Sequence, residues 1–356
     1  MTTSGPPTLD DVAQAAGVSR STASRAINGG LRVSPEAQAA VDDAVARLGY
    51  APNRAARSLV TRRTDSIALV VPEPDQRILT DPFLSGTLAG VSEGLAGTDL
   101  QLVLLLARPG EQRGRVGRYL RSGHVDGVIV ASHHRGDHLE TELGPAGLPA
   151  VFVGRLFEPD PQFSRGLRYV DVDNVTGGRL ATQRMIDRGR RRIGTITGPL
   201  DMPAGVDRMI GWRDALRDAG LADDAIVEGD FTTAGAAVAA ARLLDQHPDL
   251  DGIFAASDLM AEATLRVLAE RGRSVPGDVS VVGFDDLGIA ETTSPRLTTV
   301  HNPVVQMVGA ATSMLVDLVA GRPVQDERRI FAPRQMTTSA RRVRGCGGGR
   351  SGASCG

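Results

Sequence analysis

Two kinds of hydrophobic pattern divide the chain. Up to about residue 60, short stretches carry apolar residues at i, i+3 and i+4, which is the spacing of amphipathic helices. From residue 66 onward, continuous apolar runs such as Ile67–Val71 and Leu100–Leu106 alternate with amphipathic segments. Apolar strands that alternate with helices are typical of parallel sheets covered on both faces. The pattern therefore predicts a small all-α module followed by a larger α/β body.

The first module, residues 7–50, has the start and stop signals of three helices. Thr8 opens a Thr-x-x-Asp capping box, Ser19 precedes the second helix, and Ser34 is followed by Pro35 at the first helical position. Gly17 stops the first helix in a tight turn. Two helices joined by a turn of about four residues around a glycine form a helix-turn-helix, so the module is expected to bind DNA.

Residues 51–63 follow this module and are predicted to be a short helix and a linker. The helix begins near a proline and is too short to be stable alone. At the other end of the chain, residues 341–356 are rich in Gly, Arg and Ser and are predicted to be disordered.

The body, residues 64–340, contains two successive series of strands and helices. Two α/β lobes are therefore predicted. Lobe 1 is expected to comprise residues 64–165 and 293–325, and lobe 2 residues 166–292 and 326–340. Ligands of open α/β sheets bind at the carboxyl ends of the strands, so the cleft between two facing lobes is the expected ligand site.

The charge distribution changes what the overall composition suggests. The formal net charge of the whole chain is −2, which by itself argues against a nucleic-acid-binding protein. Residues 1–63, however, contain eight arginines and five acidic residues, a net charge of +3, and the remainder has a net charge of −5. A basic head on an acidic body is consistent with local binding to DNA phosphates.

Cysteine usage and targeting signals indicate the compartment. The two cysteines, Cys346 and Cys355, both lie in the glycine-rich tail, so no disulfide framework is expected. The N-terminus lacks the basic and apolar regions of a signal peptide. No apolar run reaches the roughly 18–20 residues that a membrane span requires. A soluble, cytoplasmic protein is predicted.

The segments TLDDVAQAAGVSRSTASRAINGG and VSPEAQAAVDDAVARLGYAPNRAARSL follow one another in the first 60 residues. These segments and the order of the elements resemble the LacI/GalR family of transcriptional regulators, whose signature they carry. In the body, DVDN (171–174), VPGDVSVVGFDD (275–286) and LTTVHNP (297–303) match family landmarks, with a spacing closest to the purine-repressor branch. The resemblance implies a helix-turn-helix headpiece joined to a two-lobed α/β effector domain of the type I periplasmic-binding-protein-like fold, with parallel sheets. It also implies a repressor that binds a palindromic operator as a homodimer, responds to a small-molecule effector, and has no enzymatic activity or cofactor.

The resemblance assigns DNA contacts to the head and the hinge. Arg20, Ser21 and Arg25 lie opposite the alanines on the second helix and occupy base-reading positions, and arginine can bind guanine bidentately. Leu59 occupies the position of a hinge leucine that wedges into the minor groove. The alternatives are a solvated helix face for the arginines and a small core contact for Leu59. The expected DNA-binding residues are Arg20, Ser21, Arg25, Asn28, Arg32, Asn53, Ala56, Arg57 and Leu59.

Effector-binding residues are expected in the body. Asp285 follows an apolar strand, at a carboxyl end where a carboxylate can accept two sugar hydroxyls, and Arg208 offers five donors at the start of a helix. The resemblance adds two phenylalanines that can stack on a ring, and a serine. The expected effector-binding residues are Phe83, Arg208, Phe231, Ser257 and Asp285. The alternatives are ordinary surface or core positions, and Trp212 is predicted to be core.

The chain departs from the purine-repressor branch in the loop after Gly198-Pro199-Leu200. Where that branch carries an Arg and a Thr that contact the purine, this chain has Met202 and Ala204. Loss of two polar groups weakens recognition of a purine edge. A sugar or a related metabolite is therefore favoured as the effector.

Three alternative functions find less support in the sequence. His133, His134 and His138 cluster after a strand, and the spacing of His134 and His138 could bind a metal ion on a helix. No cysteine accompanies them and Gly136 interrupts the segment, so a solvated loop is favoured and no metal is expected. Extracytoplasmic solute-binding proteins share the two-lobed body but need a signal peptide and have no use for residues 8–60. An enzyme is disfavoured because no nucleophile or cofactor motif is present.

Overall fold

The computed structural model describes residues 6–28, 33–51, 63–73, 75–107, 112–137, 139–157 and 168–336. The chain separates into two units, Met1–Thr64 and Asp65–Gly356. Nearly all of the predicted hinge segment, residues 52–62, and the predicted disordered tail, residues 341–356, lie outside the described residues. No helix in the described ranges has the length and apolar character needed to cross a membrane.

Three helices of the first unit begin at the predicted capping residues. They are α1 (Leu9–Ala15), α2 (Arg20–Ile27) and α3 (Pro35–Leu48). The Thr8 side chain accepts the backbone N–H of Asp11, and the Asp11 carboxylate accepts the backbone N–H of Thr8, which completes a capping box. The hydroxyls of Ser19 and Ser34 accept a backbone N–H at the starts of α2 and α3. Gly17, between α1 and α2, has a φ of +66°, a conformation that glycine adopts without strain.

The three helices pack around a small core. Its buried residues are Val12, Ala13, Ala23, Ala26, Val41 and Ala44. The buried residues of α2 are the alanines Ala23 and Ala26, whose short side chains let the helix backbones approach closely. The opposite face of α2 is consequently free to carry polar side chains into solvent.

The second unit contains two six-stranded sheets in its described part. The strands in chain order are β1 (Ser66–Val71), β2 (Gln101–Leu106), β3 (Gly127–Ala131), β4 (Ala150–Val153), β5 (Arg168–Val172), β6 (Ile193–Thr197), β7 (Ile226–Glu228), β8 (Gly252–Ala255), β9 (Ser280–Asp285), β10 (Thr298–His301), β11 (Arg328–Phe331) and β12 (Arg334–Met336). The first sheet has the order β11-β5-β4-β3-β1-β2 and defines lobe 1. The second sheet has the order β12-β10-β9-β8-β6-β7 and defines lobe 2. All pairs are parallel except β10 with β12, as the continuous apolar strands predict.

Helices connect the strands. They are α4 (Asp75–Thr80), α5 (Pro82–Leu95), α6 (Gly117–Arg121), α7 (Leu139–Ala146), α8 (Asn174–Asp187), α9 (Pro203–Asp218), α10 (Thr233–Gln246), α11 (Asp258–Glu270), α12 (Ile289–Thr292) and α13 (Val304–Val319), with a π-helix at Gln112–Val116. In lobe 1, α13 packs against α5. Gly90 makes this approach possible, because a Cβ there would lie 2.7 Å from the Val305 carbonyl oxygen.

The predicted lobe boundaries are wrong for three strands. β5 and β11 pair in the sheet of lobe 1, whereas the hydrophobic pattern predicts residues 166–292 and 326–340 in lobe 2. β10 pairs with β9 in lobe 2, whereas the pattern predicts residues 293–325 in lobe 1. A continuous apolar run indicates that a strand is buried on both faces, but it contains no information about which sheet the strand joins.

The interior of the body is aliphatic with few aromatic side chains. Trp212, Phe152, Phe254 and Phe284 are the largest side chains that are fully buried. Trp212 belongs to a core cluster with Leu216 and is not exposed at all, which confirms its predicted core position. Its indole N–H has no hydrogen-bond partner among the described residues.

The carboxyl ends of the strands bring polar residues together. In lobe 1, Ser132 follows β3, Gly154 follows β4, and Asp171 lies near the end of β5. In lobe 2, Ser257 follows β8 closely and Asp285 ends β9. These positions lie at the ends of the strands where ligands of α/β proteins bind.

Candidate functional site

The exposed face of α2 carries the three predicted base-reading residues. Arg20, Ser21 and Arg25 are exposed, on the side opposite the buried alanines. Arg20 lies 3.4 Å from the carboxylate of Asp10. Arg25 donates back to the helix, to the Ser21 carbonyl oxygen at 3.2 Å and the Thr22 hydroxyl at 3.4 Å. Both guanidinium groups are therefore held at the protein surface by weak contacts that a nucleic acid can replace.

The other predicted DNA contacts are only partly described. Asn28 is exposed just after α2, where its side-chain amide donates to the Ser24 carbonyl oxygen at 2.8 Å. The remaining predicted residues lie outside the described residues; they are Arg32, Asn53, Ala56, Arg57 and Leu59.

A cleft between the two lobes contains all five predicted effector-binding residues. It encloses about 650 Å³ of open space, including its mouth to solvent. The predicted residues that line it are Phe83, Arg208, Phe231, Ser257 and Asp285. Further lining residues are Arg77, Asp81, Ser132, His133, Val153, Gly154, Asp171, Val172, Asn174, Met202, Pro203, Ala204, Asn302 and Met307.

Arg208 is held rigidly in the wall of the cleft. Its Nε donates to the Asn174 side-chain oxygen at 2.8 Å, and a terminal nitrogen donates to the Ala256 carbonyl oxygen. Its guanidinium lies 3.6 Å from the centroid of the Phe284 ring, and its other terminal nitrogen is 3.6 Å from the Asp285 carboxylate. Burial lowers the pKa of Arg208, and the neighbouring carboxylates, Asp285 foremost, oppose this effect. The group is thus preorganised, with few remaining donors for a ligand.

Asp285 is buried at the end of β9. It accepts a hydrogen bond from the Asn302 side-chain amide at 3.2 Å. Burial raises the pKa of Asp285 to about 6, although Arg208 favours the charged form. The Asp285 carboxylate is therefore mostly ionised at neutral pH and can accept hydrogen bonds from ligand hydroxyls.

Strained backbone concentrates at the cleft. Three of its lining residues, Ser132, Phe231 and Asp285, have φ values of +59°, +59° and +117°. Asp286, the neighbour of Asp285, has a φ of +56°. Such conformations cost about 1–3 kcal/mol each and cluster at functional sites. Three of the five non-glycine residues with a positive φ in the described ranges therefore line the cleft, which supports its choice as the candidate site.

The remaining predicted residues have mixed surroundings. The Phe231 ring is buried, with the guanidinium carbons of Arg77 and Arg208 at 5.0 and 5.9 Å from its centroid. Phe83 is half-buried at the start of α5. The Ser257 hydroxyl caps α11 by accepting the Met260 N–H at 3.2 Å, so part of its hydrogen-bonding capacity is used within the protein.

Sequence reasoning missed several polar residues of the cleft. Asp171 and Asn302 lie within the DVDN and LTTVHNP segments, at or just after strand ends, so their positions were a usable signal. Arg77 and Asp81, in contrast, come from the connection after β1, and no local pattern distinguishes them from surface residues. The two are paired at 3.3 Å, and Arg77 also pairs with Glu73.

The histidine segment is not a simple solvated loop, so that part of the prediction is wrong. His133 is buried against Phe152, and His134 bridges the lobes by binding Glu73 at 3.2 Å and Asp201 at 2.9 Å. These carboxylates lie 61 and 67 residues from His134 in the chain, which local sequence cannot reveal. His138 lies outside the described residues. No group of three potential metal ligands converges in the described ranges.

Comparison with known proteins follows the same two-part division. The family described as "Bacterial regulatory proteins, lacI family" matches residues 8–53, and the "Periplasmic binding protein-like domain" matches residues 182–338. The HTH-type transcriptional regulator CelR of Thermobifida fusca is 48% identical over 333 residues, which cover 93% of this chain and 97% of CelR. This chain belongs to the LacI family. The predicted fold class, a helix-turn-helix headpiece with a periplasmic-binding-protein-like body, is confirmed.

Other members of the LacI family also match this chain over most of its length. The ribose operon repressor of Bacillus subtilis is 31% identical over 322 residues, 90% of this chain and 94% of the repressor. A solved structure described as a CelR–cellobiose complex has a TM-score of 0.74 and 45% identity, and the match covers 93% of this chain and 98% of that one. This LacI-family protein is therefore a DNA-binding transcriptional regulator and not an enzyme.

Proposed function

We propose that this regulator binds a palindromic operator as a homodimer and is controlled by a sugar that binds in the cleft. The proposal rests on the convergence in one cleft of Arg208, Asp285 and Phe231, which are separated in sequence and together supply a donor, an acceptor and a ring face. Sugar sites combine these groups, because hydroxyls both donate and accept hydrogen bonds while the ring carbons present apolar surface.

Cellobiose is the first ligand to test. The similar CelR structure is described as a complex with cellobiose, and it is 45% identical to this chain. A purine is disfavoured by two residues that line the cleft, Met202 and Ala204, since neither side chain can form a hydrogen bond to a purine edge of the kind that Arg and Thr form in the purine-repressor branch. A β-linked glucose disaccharide is thus the leading candidate.

The DNA-binding role is assigned to α2 and the hinge. Arg20 and Arg25 would bind guanine edges in the major groove, with Ser21 between them and Asn28 and Arg32 on the flanks. Leu59 would wedge into the minor groove at the operator centre, supported by the other hinge residues Asn53, Ala56 and Arg57. A palindromic operator has two-fold symmetry, and a homodimer matches that symmetry. Because the protein would bind operator DNA, we expect it in the cytoplasm.

Fluorescence anisotropy with the DNA upstream of the protein's own gene tests operator binding. A specific complex is expected whose affinity falls steeply with salt, because phosphate contacts release counterions. Repeating the titration with cellobiose shows whether the sugar releases the DNA or is needed to hold it. Absence of a protected palindromic site in a footprint of the same DNA would refute the assignment.

Calorimetric titration with sugars, nucleosides and purines tests the cleft. Asp285→Asn and Arg208→Met are each expected to weaken sugar binding about 10- to 100-fold, because a charge-assisted hydrogen bond to a buried ligand is lost. Asp218→Asn is the matched control, since Asp218 lies in an exposed ion pair with Arg179 on lobe 2 and outside the cleft. Sugar binding that survives in both cleft variants would place the effector site elsewhere.

A further inference from the structure

The cations of the cleft are already occupied by carboxylates. Among the described residues that line it, the only fixed cations are Arg77 and Arg208. Arg77 pairs with Glu73 and Asp81, and Arg208 lies beside Asp285. With Asp171 included, three carboxylates line the cleft against two guanidinium groups. The described wall therefore offers no positive charge in excess of its negative charge.

His133 does not add a cation to the cleft. The residue is 5% exposed, and its ring lies edge-on to the Phe152 ring, with 5.7 Å between the ring centroids. Burial lowers the pKa of His133 to about 4, so the ring is neutral at physiological pH. A neutral histidine has one nitrogen that donates and one that accepts.

The surroundings of His133 decide which nitrogen accepts. Its Nε2 lies 3.2 Å from the Gly154 carbonyl oxygen. A carbonyl oxygen can only accept a hydrogen bond, so Nε2 carries the proton and Nδ1 carries the free lone pair. Nδ1 has no partner among the described residues, and the ring lines the cleft. Lobe 1 thus presents a fixed acceptor to a ligand whose other side faces Asp285 in lobe 2.

We infer that the cleft selects an uncharged, hydroxyl-bearing sugar and rejects its phosphorylated form, with His133 Nδ1 accepting a hydrogen bond from one sugar hydroxyl. The inference rests on the proposed function, in that it takes the cleft to be a sugar site. A phosphate ester carries a charge near −2 at neutral pH and requires free cations or backbone N–H groups. In this cleft it would meet carboxylates and a neutral imidazole, and like charges brought together during binding reduce affinity strongly.

Calorimetric titration of the full-length protein tests the selection by charge. Cellobiose and cellobiose 6′-phosphate are compared, together with glucose and glucose 6-phosphate. Each ester is expected to bind at least about 100-fold more weakly than its parent sugar. Asp81→Asn removes one carboxylate from the cleft and one partner of Arg77. It is therefore expected to reduce the difference in affinity between each phosphate ester and its parent sugar. Phosphate esters that bind as tightly as the parent sugars would overturn the inference and leave the proposed sugar site intact. If none of the four compounds binds, both the selection against phosphate esters and the proposed sugar site are overturned.

Substitution of His133 tests the acceptor. His133→Phe keeps a ring against Phe152 but has no acceptor, and it is expected to weaken cellobiose binding about 10-fold. His133→Gln restores a side-chain oxygen and is expected to recover most of the affinity, which also separates loss of the acceptor from loss of folding. His124→Phe is the matched control, because His124 is an exposed histidine that stacks on Tyr119 outside the cleft. Unchanged cellobiose affinity in a folded His133→Phe protein would remove His133 from the site.

Discussion

Arg155 and Asp207 join the two lobes through a bidentate ion pair. Two nitrogens of the Arg155 guanidinium donate to the two carboxylate oxygens of Asp207 at 2.7 and 2.6 Å. Arg155 follows β4 of lobe 1, and Asp207 lies in the first turns of α9 of lobe 2. The ion pair between His134 and Asp201 also crosses between the lobes, so both contacts reach the segment from residue 201 to residue 207. Met202 and Ala204, which line the cleft, lie in this segment.

Breaking the pair is expected to loosen the lobes. Arg155→Met leaves the largely buried Asp207 carboxylate without its bidentate partner, so the free energy of unfolding should fall by about 1–2 kcal/mol in urea titrations. Sugar affinity should fall as well, because this pair no longer holds together the two lobes that form the walls of the cleft. Arg179→Met, which removes an exposed ion pair with Asp218, is the control and should change stability by less than about 0.5 kcal/mol. Equal effects of the two variants would contradict a role for the inter-lobe pair.

Operator recognition is expected to depend on the exposed face of α2. Arg25→Ala and Arg20→Ala should each weaken specific operator binding by about 1–3 kcal/mol in anisotropy titrations, with a much smaller effect on unrelated DNA. The thermal stabilisation by sugar should remain unchanged, since both residues belong to the first unit. Arg47→Ala, an exposed arginine on α3, provides the comparison. If all three variants lost affinity equally for specific and unrelated DNA, the arginines of α2 would contact only phosphates.

The packing of α8 against α9 is expected to be sensitive to a single methyl group. A Cβ at Gly211 would overlap the carbonyl oxygen of Val175, which is backbone and cannot rotate away. Gly211→Ala should therefore destabilise the protein by about 1–3 kcal/mol and, because α9 carries Arg208, should also weaken sugar binding. In Gly309→Ala the nearest atom is 3.7 Å from the new Cβ, and this helical control should be neutral or stabilising by up to about 1 kcal/mol. Thermal melts and urea titrations of the two variants distinguish these outcomes.

Stability is expected to fall as the pH rises toward 9. Burial opposes the charged form of His134, but the hydrogen bonds and charges of Glu73 and Asp201 prevail and raise its pKa to about 9. Because the pKa of His134 is higher in the folded than in the unfolded protein, charged His134 stabilises the folded state. This contribution to the free energy of unfolding is fully present below the unfolded pKa of about 6.5 and is lost as the pH passes through 9.

The slope of the unfolding free energy between pH 6.5 and 9 is the measurement. Asp258, whose pKa burial raises to about 8, contributes a slope of the same sign up to that pH, so the interval from pH 8 to 9 isolates His134 best. His134→Gln should flatten the curve there, and His124→Gln, at an exposed position, is the comparison variant. An unaltered slope in His134→Gln would show that the histidine is not charged in the folded protein.

Local sequence was sufficient for the local features of this protein. The caps at Thr8, Ser19 and Ser34 and the turn at Gly17 depend on residues within four positions of each other, and the structure contains them as predicted. The alternation of continuous apolar strands with helices is also visible in the local sequence, and it predicted two parallel sheets. The five predicted cleft residues also line one cleft, which follows from their positions at strand ends and in the family motifs.

The tertiary structure decided which distant residues meet. Hydrophobic periodicity did not indicate that β5 and β11 join one sheet while β10 joins the other, because strand pairing depends on register and crossover, which span more than a hundred residues for β5 with β11. For the same reason, the sequence did not indicate that the Arg77 guanidinium lies 5.0 Å from the centroid of the Phe231 ring. His133 and His134 show the point most clearly: the two are neighbours in sequence, yet one is buried and neutral while the other is ion-paired across the lobes. Their charges are set by burial and by carboxylates far away in the chain, which only the folded chain brings into contact.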